Sequence, residues 1–565
     1  MDNDKLREKL ENKRDQLRNE RVKTWDDPWM VLRDNIEPNI GRFPDEEVND
    51  GGRRDQRIIN NTATISNRVL KAGMQSGMTS PARPWFELAA PDPQLTKYAP
   101  VKNWLWYCQN AMRETFIRSN LYNVLPSCYG EQGVFGTGVI AAIPDDKTVV
   151  RFYNFTIGSY YLATSNRSLV DTLYRDFSMT PRQMAQQFGK DKLSATVKTM
   201  LDRNSEGWVE VCHAIEPNDM REPGRMDNKN MPYRSVYWEK GSPRNEILKV
   251  SGFKKFPIMA PRWDVNGENV YGKGPGSFCI GEVLSLQIME RDKLELLKKG
   301  VKPPMGAPAS MRNDRVSIVP GDVTWVPDSQ VGAKFAPLYE INPAWIGQLR
   351  GEIMATEQRI KTTFFEDLFL MISNMDSVRT ATEIATRKEE KMLMLGPVLE
   401  RQNDELLDPL IDITFQLMLE QSMPRWQGLL PGKPVLPPPP QELKGMDLAV
   451  EYISILAQAQ KALGVSSIER ALAFTGNLAQ SFPQAADKLN IDQTINEYFS
   501  AIGVPPTMLN SDEEVAQIRQ ARAQQAQQAQ QQAQMQQVVE GAKLLSETDT
   551  GGDNALTTLA NQVQQ

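Results

Sequence analysis

The sequence predicts an α+β fold in which strands and helices alternate in the first half and helices dominate the second half. Short runs of alternating apolar and polar residues lie between 149 and 265, separated by turn residues, which is the pattern of β-strands. From residue 277 onward, apolar residues recur at three- and four-residue intervals, as in amphipathic helices. The length of 565 residues suggests about two to four domains.

Two helices are expected near the N-terminus. Residues 1–24 are rich in charge and predict a helix that lies on the surface. Residues 60–77 predict a second helix, with Ile65, Val69 and Ala72 on one face.

The strand-rich part follows an aromatic helix. Residues 104–125 predict a helix with a cluster of aromatic side chains, which is typical of a core. GVFGTGVI (133–140) predicts a change from helix to strand. One helix interrupts the strands, with Thr180 as its N-cap, Pro181 at its first position and an end near Gly189. The strand-like runs are VVRFYNF, GSYYLAT, WVEVCHAI, YRSVYWE and EILKVSGF.

The second half predicts two long helices that flank a short insert. The first helix covers 277–300 and ends before the prolines at 303–304. Asn342 and Pro343 open the second helix as its N-cap and first residue. The insert, residues 301–341, is rich in Pro, Gly, Val and charge and predicts small strands and turns.

Further helices are expected toward the C-terminus. A capping box at 380–383 starts a helix that extends toward Gln421, with a bend at Gly396 and Pro397. A stiff Pro-rich spacer precedes a small helical unit at about 446–500. The Ala/Gln-rich residues 520–537 are open to two interpretations, a helix that associates with other copies of the chain or a flexible tail.

The stretch GENVYGKGPG (267–276) partly matches a phosphate-binding loop. The match ends after Lys273, because Gly274 replaces the Ser or Thr whose hydroxyl would hold Mg²⁺. Pro275 also removes a backbone N–H from the nest that would bind phosphate. We therefore interpret the stretch as a structural hinge made by Gly272, Gly274, Pro275 and Gly276.

Composition argues against several classes of function. The chain has one histidine, His213, in a strand-like run where a packed side chain is expected, and its four cysteines form no CxxC pair. The net charge of −6 lacks the basic excess of a static DNA-binding protein. No apolar run approaches the about 20 residues needed to span a membrane. We predict no enzymatic activity, no metal and no cofactor.

Three stretches carry a family resemblance: YGKGPGSFCIGEVLSLQIMERDKLELLKKGVKPPM (271–305), TATEIATRKEEKMLMLGPVLERQNDELLDPLIDITF (380–415) and, more weakly, GVFGTGVI (133–140). The first resembles the segment that enters the stem of podovirus portal proteins, also called bacteriophage head-to-tail connecting proteins. The second resembles the long helix that follows the stem. The order of elements is also similar, over about residues 20–500.

The resemblance implies a division into the parts of a portal protein. These are a wing with mixed α/β structure at 1–270, a first stem helix at 271–300, a small α/β clip at 301–341, a second stem helix at 342–366, a tunnel loop and long wing helix with the Pro-rich linker at 367–445, a helical crown at 446–510, and a C-terminal helix, or barrel, with a disordered tail at 511–565.

The resemblance also implies a homododecameric ring at one capsid vertex of the virion, assembled in the host cytoplasm. Double-stranded DNA would pass through the channel during packaging and ejection, and a terminase large subunit would supply ATP hydrolysis. The ring would contact capsid and scaffolding proteins and, after packaging, head–tail adaptor and tail proteins.

Three groups of residues become candidates for contact with DNA or partners. The tunnel loop of the family falls on 371–382, and its DNA-proximal candidates are Asn374, Asp376 and Arg379. Arg379 either touches phosphates transiently or pairs with a neighbouring carboxylate. A basic cluster at the end of the first stem helix either complements the helix dipole or forms a ring of positive charge; it consists of Lys298, Lys299 and Lys302. The clip contributes three candidates for contact with partner proteins: Arg312, Asp314 and Arg315. The alternative is that they form a turn exposed to solvent.

Two other functions stay open from the sequence alone. One is a different ring-forming virion protein, such as an adaptor, although adaptors are usually much shorter. The other is an NTPase that uses the loop at 267–274, which ATP hydrolysis lost on Lys273→Ala would support.

Overall fold

A computed structural model shows two compact units, Met1–Ser467 and Ile468–Gln565, which we describe separately. The residues that the structure describes are 3–43, 51–302 (without 53, 93, 94, 96, 97, 223 and 226), 305–306, 312, 336–337, 342–373, 394–422, 436–443, 448–454, 456, 471–478, 482, 484, 488, 490–501, 515–529 and 531.

The first unit begins with helices and one short strand. Helix α1 covers Asn3–Arg21, and a π-helical turn at Val22–Asp26 joins it to α2. The elements that follow are α2 (Asp27–Asn35), α3 (Thr62–Met78), β1 (Phe86–Ala89), α4 (Ala99–Arg118) and α5 (Leu121–Phe135).

Helix α3 confirms the helix expected at 60–77 but buries a partly different face. Ile65 and Ala72 are exposed, whereas Leu70 and Met74 are fully buried. Val69 packs partly against the core, so the buried face is displaced from the expected one and overlaps it at this residue. Gly73 lies on the buried face, where an added Cβ would stand 2.3 Å from the Cβ of Phe369. Close approach of a later helix, which helical periodicity cannot predict, selects this face.

Strands and two short helices follow α5. In chain order they are β2 (Ile140–Asp145), β3 (Val149–Asn154), β4 (Tyr160–Thr164), β5 (Val170–Met179), α6 (Pro181–Phe188), α7 (Ala195–Asp202), β6 (Val209–Pro217), β7 (Tyr233–Glu239), β8 (Lys249–Phe253) and β9 (Ile258–Met259). The five strand-like runs of the sequence correspond to β3, β4, β6, β7 and β8. The sequence did not predict β5 or α7.

These strands form two antiparallel sheets. β2 lies between β3 and β9, and the other sheet is a meander in the order β4, β5, β6, β7, β8. The expected start of α6 is confirmed: the Gln183 N–H donates to Thr180 Oγ1 at 3.4 Å, and the Thr180 N–H donates to Gln183 Oε1 at 3.0 Å. The α+β fold class is therefore confirmed.

Helix α1 lies on the five-stranded sheet with most of its residues exposed, which agrees with the expected surface helix. Leu6 and Leu10 pack with Tyr174, Val236 and Trp238 from the sheet in one buried cluster. The charged residues that suggested exposure occupy both the outer face and part of the buried face. Charge content alone therefore does not show which side of this helix meets solvent.

Three arginines seven residues apart attach α1 to the five-stranded sheet. Arg7 reaches the turn between β7 and β8, Arg14 pairs with Asp176 of β5, and Arg21 donates to the carbonyl oxygen of Tyr160 in β4 at 2.8 Å. Fourteen residues of helix rise about 21 Å, and four strand spacings span about 19 Å. The helix is thus long enough to cross the sheet, from β4 at Arg21 to the turn between β7 and β8 at Arg7.

The second half of the unit is mainly helical, as expected. Its elements are α8 (Pro275–Phe278), α9 (Ile280–Val301), β10 (Met305–Gly306), β11 (Ala336–Pro337), α10 (Pro343–Thr363) and α11 (Glu366–Ser373). β10 and β11 pair antiparallel, which agrees with small strands in the insert. Asn342 caps α10, because its Oδ1 accepts from the Ala344 N–H at 2.9 Å.

A long helix covers 394–421 and ends in α12 (Asp408–Gln421). Residues 394–402 are helical through Gly396 and Pro397, where the sequence suggested a bend. The departure from α-helical hydrogen bonding lies later, in a π-helical turn at Asn403–Leu407. Pro409 follows this turn, and a wider turn relieves the clash between a proline ring and the carbonyl four residues earlier.

Strand β12 (Ala449–Tyr452) corrects the helical assignment at the start of 446–500. It pairs antiparallel with β1, and Phe86 lies opposite Tyr452. The Tyr452 hydroxyl also donates to Asp408 at the start of α12. This segment is therefore part of the first unit.

The second unit contains described helices at 471–478, α13 (Ile491–Ala501) and 515–529. Arg519 forms two hydrogen bonds to the carboxylate of Asp492, at 2.6 and 2.7 Å. Residues 520–529 of the Ala/Gln-rich region are thus helical, and their association with other copies of the chain stays a prediction.

Candidate functional site: the paired helices α9 and α10

Helices α9 and α10 lie side by side and run antiparallel. In the half of the pair that lies away from the insert, the Asn60 side-chain amide donates to Glu290 Oε1 of α9 at 3.2 Å and to Glu357 Oε1 of α10 at 2.8 Å. At the other end, β10 follows α9 and pairs with β11, which precedes α10. The pair therefore has one end attached to the body and the other at the insert.

Gln287 attaches α9 to the body of the first unit. Its Oε1 accepts from the Ile59 and Asn60 N–H groups at 2.7 and 2.9 Å, and its Nε2 donates to the Asn60 carbonyl at 2.8 Å. All of these groups are partly or fully buried, so the amide side chain satisfies backbone groups that would otherwise lack partners. This contact determines where α9 leaves the body.

Large apolar side chains are exposed on both helices in the single chain. Ile288 is 56% exposed and Trp345 is 63% exposed. Gly347 and Gly351 of α10 have open space at the position of a Cβ atom. The other exposed apolar residues of the pair are Leu284, Leu294, Leu297, Val301 and Met354. Concentrated apolar exposure of this kind marks surfaces that contact another macromolecule.

The glycine-rich stretch before α9 is packed against the body. An added Cβ at Gly274 would lie 2.1 Å from the carbonyl oxygen of Gln132, and one at Gly272 would lie 2.5 Å from that of Gly136. One at Gly276 would lie 2.8 Å from the Val134 oxygen. These glycines are required because two backbones touch, and Gly274 itself has an ordinary extended φ of −111°. Pro275 begins α8, as expected for a first helical residue.

Backbone N–H groups of this stretch bond to protein acceptors. The Gly272 N–H donates to Thr137 Oγ1 at 2.9 Å, and the Lys273 N–H donates to the Asp264 carbonyl at 2.8 Å. These two groups are therefore not directed together at an open anion site. The geometry agrees with the sequence argument against phosphate binding.

An ion pair that the sequence did not predict joins this stretch to the long helix. Glu405 Oε2 accepts from the Arg262 backbone N–H at 2.9 Å, and Glu405 Oε1 accepts from Arg262 Nη2 at 2.5 Å. Arg262 is 4% exposed and also donates to the Ser168 carbonyl. The π-helical turn contains Glu405, so the widened turn places this carboxylate at the segment that leads into α8.

The basic cluster lies at the C-terminal end of α9, as predicted. Lys298, Lys299 and Lys302 are exposed, and Lys299 Nζ lies 2.7 Å from Glu295 Oε1. Cations at this position are stabilised by the negative end of the helix dipole. A partner-binding role for the cluster remains a prediction.

The other predicted contact residues fall largely outside the described part of the chain. Arg312 is described as an exposed turn residue. The remaining ones, Asn374, Asp376, Arg379, Asp314 and Arg315, lie outside the described residues.

His213 has the packed environment expected from its strand. Its ring stacks on Tyr237 with a centroid distance of 3.7 Å, Nδ1 accepts from Arg175 Nε at 3.2 Å, and Nε2 lies 3.0 Å from Ser235 Oγ. Burial and the nearby Arg175 guanidinium hold the pKa of His213 well below its usual value. The four cysteines are free and buried, as expected.

Among the described residues, no group of three or more His, Cys, Asp or Glu side chains is arranged to hold a metal ion. Within the same residues, no helix is both long enough and apolar enough to span a membrane.

Comparison with known proteins identifies the family. Residues 7–509 match the family described as bacteriophage head to tail connecting protein. The portal protein of Salmonella phage epsilon15 is 47% identical over 558 residues, which are 98% of each chain. The probable portal protein of Bordetella phage BPP-1 is 41% identical over 544 residues, 96% of each chain.

A solved structure titled virion of native gene transfer agent (GTA) particle matches 86% of this chain and 95% of its own chain, at 10% identity and a TM-score of 0.37. The assignment rests on the family match and on the two sequence relatives. The chain therefore belongs to the bacteriophage head to tail connecting protein family, as a viral portal protein and a structural component of the virion.

Proposed function

We propose that twelve copies of this chain form a ring at one vertex of the phage capsid, and that double-stranded DNA passes through its central channel. The observation that carries the proposal is the 47% identity to a phage portal protein over nearly the whole chain. The exposed apolar faces of α9 and α10 support it, since they provide surfaces for contact between neighbouring copies.

The proposed contact joins two different surfaces, as a closed ring requires. In a ring, one side of each copy meets the other side of the next, so a surface on α9 faces a different surface on its neighbour. Leu284 and Ile288 project from α9, while Gly347 and Gly351 leave space beside α10. We propose that the projecting side chains of one copy pack near the glycines of the next.

The division into wing, stem, clip and crown extends this proposal to the remaining parts. In it, α9 and α10 form the stem, and the residues at 301–341 form the clip. The tunnel loop at 371–382 would approach DNA through Asn374, Asp376 and Arg379. The clip turn with Arg312, Asp314 and Arg315, and the basic cluster at the end of α9, would face the terminase or the adaptor proteins.

Charge is consistent with a conduit rather than a clamp. DNA carries about one negative charge per 1.7 Å of its axis, so a strongly basic channel would bind it and slow its passage. The formal net charge of this chain is −6, and twelve copies carry 12 × −6 = −72. This sum describes the whole particle, and it provides no general electrostatic attraction that would hold DNA in place.

The proposed partners follow from a position between capsid and tail. The ring would meet capsid and scaffolding proteins during assembly in the host cytoplasm, the terminase large subunit during packaging, and adaptor and tail proteins afterwards. In this proposal the terminase hydrolyses ATP and the portal ring does not.

Electron microscopy and mass measurement of the purified protein test the proposal. We expect ring-shaped particles with twelve-fold symmetry, a central hole and a mass of about 766 kDa, which is 12 × 63.8 kDa. The same preparation should show no ATP hydrolysis. A chain that stays monomeric under every assembly condition and forms no ring in infected cells would contradict the proposal, and ATPase activity lost on Lys273→Ala would favour the NTPase alternative.

A further inference from the structure

We infer that the corner between α10 and α11 is a two-state element that can straighten into one continuous helix. Helix α10 ends at Thr363 and α11 begins at Glu366, so only Phe364 and Phe365 separate them. The inference concerns the single chain, and its use during DNA passage rests on the proposed function.

The local sequence favours a continuous helix through this corner. The residues KTTFFEDLF (361–369) contain neither glycine nor proline, the two residue types that commonly end helices. A stripe of buried residues also continues across the corner at the three- and four-residue spacing of one helix face. Its members are Ile353, Thr356, Ile360, Phe364 and Leu368.

The bent conformation places a bulky residue in the left-handed region. Phe365 has a φ of +56°, where a side chain with a Cβ meets its own backbone carbonyl. Such residues persist only where surrounding contacts hold them, and they concentrate at sites that change conformation. The local sequence thus favours a right-handed helical conformation at Phe365, whereas the observed conformation is left-handed.

Contacts from other elements hold the bend. Phe365 packs against Trp263, with a ring-centroid distance of 6.3 Å. The Ser66 hydroxyl donates to Glu366 Oε2 at 2.5 Å, and Gly73 of α3 admits Phe369 at close range. These contacts attach the start of α11 to α3. Loss of this attachment would allow Phe365 to return to a right-handed helical conformation.

The corner connects two positions that matter for the proposed ring. Trp263 lies in the segment that leads into α8 and α9, next to the Arg262–Glu405 ion pair. A change at Phe365 would therefore affect the segment before α9 through the contact with Trp263. It would also affect the C-terminal end of α10, which precedes Phe365 in the chain. If DNA passes through the ring, straightening would change the direction in which α11 leaves the stem.

Paired alanine and glycine variants test the strain. At Phe365 both variants lose the aromatic ring, but only glycine tolerates a positive φ without strain. We expect Phe365→Gly to melt about 1–2 °C above Phe365→Ala. The matched pair at Gln358, an exposed position within α10, should show the usual order, with Gln358→Ala melting above Gln358→Gly.

A distance measurement tests for the second state. Spin labels on cysteines introduced at Met354 and Leu370 can be attached selectively, because the four native cysteines are buried. These positions are 16 residues apart, so a continuous helix separates their backbones by about 24 Å. In the full chain, diluted with unlabelled chain, we expect a shorter main population and a minor one near this distance.

The variants should shift these populations in opposite directions. Phe365→Ala should at least double the fraction of the long distance, and Phe365→Gly should remove it. The normal stability order at Phe365, or one unchanged distance distribution in all three proteins, would overturn the inference. Failure of ring assembly would leave both measurements interpretable, since each reports on the corner within one chain.

Discussion

At the scale of single residues, Glu131 places an ionisable carboxyl group inside the core. The side chain, on α5, is 2% exposed and lies against the connection between β3 and β4. Its Oε1 accepts from Asn154 Nδ2 at 3.1 Å, and its Oε2 accepts from the Ile157 N–H at 3.0 Å. Burial outweighs these hydrogen bonds and raises the pKa of Glu131 from 4.5 to about 8.

The raised pKa predicts a stability that falls as pH rises. Between about pH 4.5 and 8 the unfolded chain releases this proton while the folded chain keeps it. The contribution of Glu131 is therefore complete below the lower value and is lost by the upper one, on the order of 5 kcal/mol in total. Glu131→Gln removes this pH dependence. The melting temperature of the variant minus that of the native chain should therefore increase from pH 5.5 to 8.5.

Glu206→Gln serves as the control, because Glu206 is exposed. Its melting temperature should differ from the native value by the same small amount at every pH. If the melting temperature of Glu131→Gln also differs from the native value by a constant amount from pH 5.5 to 8.5, Glu131 does not titrate in that range.

Individual residues were predictable where a local rule applies. Thr180, Pro181 and Asn342 follow capping rules that depend only on neighbours in sequence, and the structure confirms all three. The Arg262–Glu405 pair joins residues 143 positions apart, and no local pattern indicates it. Partners that only folding brings together leave no signal in one sequence.

At the scale of elements, α1 depends on a few buried hydrogen bonds. Arg7 is 1% exposed and donates to the carbonyl oxygens of Glu239, Pro243 and Glu246 at 3.0, 2.6 and 3.0 Å. It also donates to Ser242 Oγ at 2.9 Å. One guanidinium therefore supplies donors to four acceptors in and beside the turn between β7 and β8.

We predict that Arg7→Ala releases the first turns of α1. Loss of the guanidinium removes several charge-assisted hydrogen bonds and leaves a cavity where Arg7 was buried, and the variant should lose on the order of 3 kcal/mol of unfolding free energy. Limited proteolysis should cut the N-terminal helix sooner than in the native chain. Lys9→Ala removes an exposed charge from the same helix and should change neither measurement; equal cleavage of the two variants would contradict the assigned role of Arg7.

Elements were predictable where apolar periodicity determines them, and less so where tertiary contacts do. Strand β5 was not predicted because Asp171, Arg175 and Asp176 interrupt its apolar pattern. Arg14 of α1 then pairs with Asp176, which lets this charge lie under the helix. The resemblance placed the end of the second stem helix at 366, close to the corner at Phe365, but the residues themselves give no signal for it, since none of them breaks a helix.

For the whole molecule, the family and the order of elements were predictable, but the surfaces between copies were not. Two stretches of motif length identified the family, and the match over residues 7–509 confirms it. Helical spacing also predicted α9, yet spacing cannot show whether an apolar residue faces its own chain or another. The structure of one chain shows which faces stay uncovered, and Ile288 is on one of them.

Ile288→Asp should prevent ring assembly and leave the single chain folded. The side chain is already 56% exposed in one copy, so an aspartate there remains hydrated and costs the monomer little. In the proposed ring the same position would be covered by a neighbour, and an unpaired carboxylate buried at every interface would cost several kcal/mol per copy. Light scattering after size-exclusion chromatography should show monomers in place of particles of about 766 kDa, 12 × 63.8 kDa.

Leu169→Asp is the matched control, because Leu169 is 44% exposed in the turn between β4 and β5 and belongs to neither helix of the pair. This variant should assemble as the native chain does. Its circular dichroism spectrum should match that of Ile288→Asp, because both chains are expected to fold normally. Normal rings from Ile288→Asp would show that this face of α9 stays in solvent in the particle. The exposed apolar residues of α9 would then need another partner, and contact between copies would have to be sought on other surfaces.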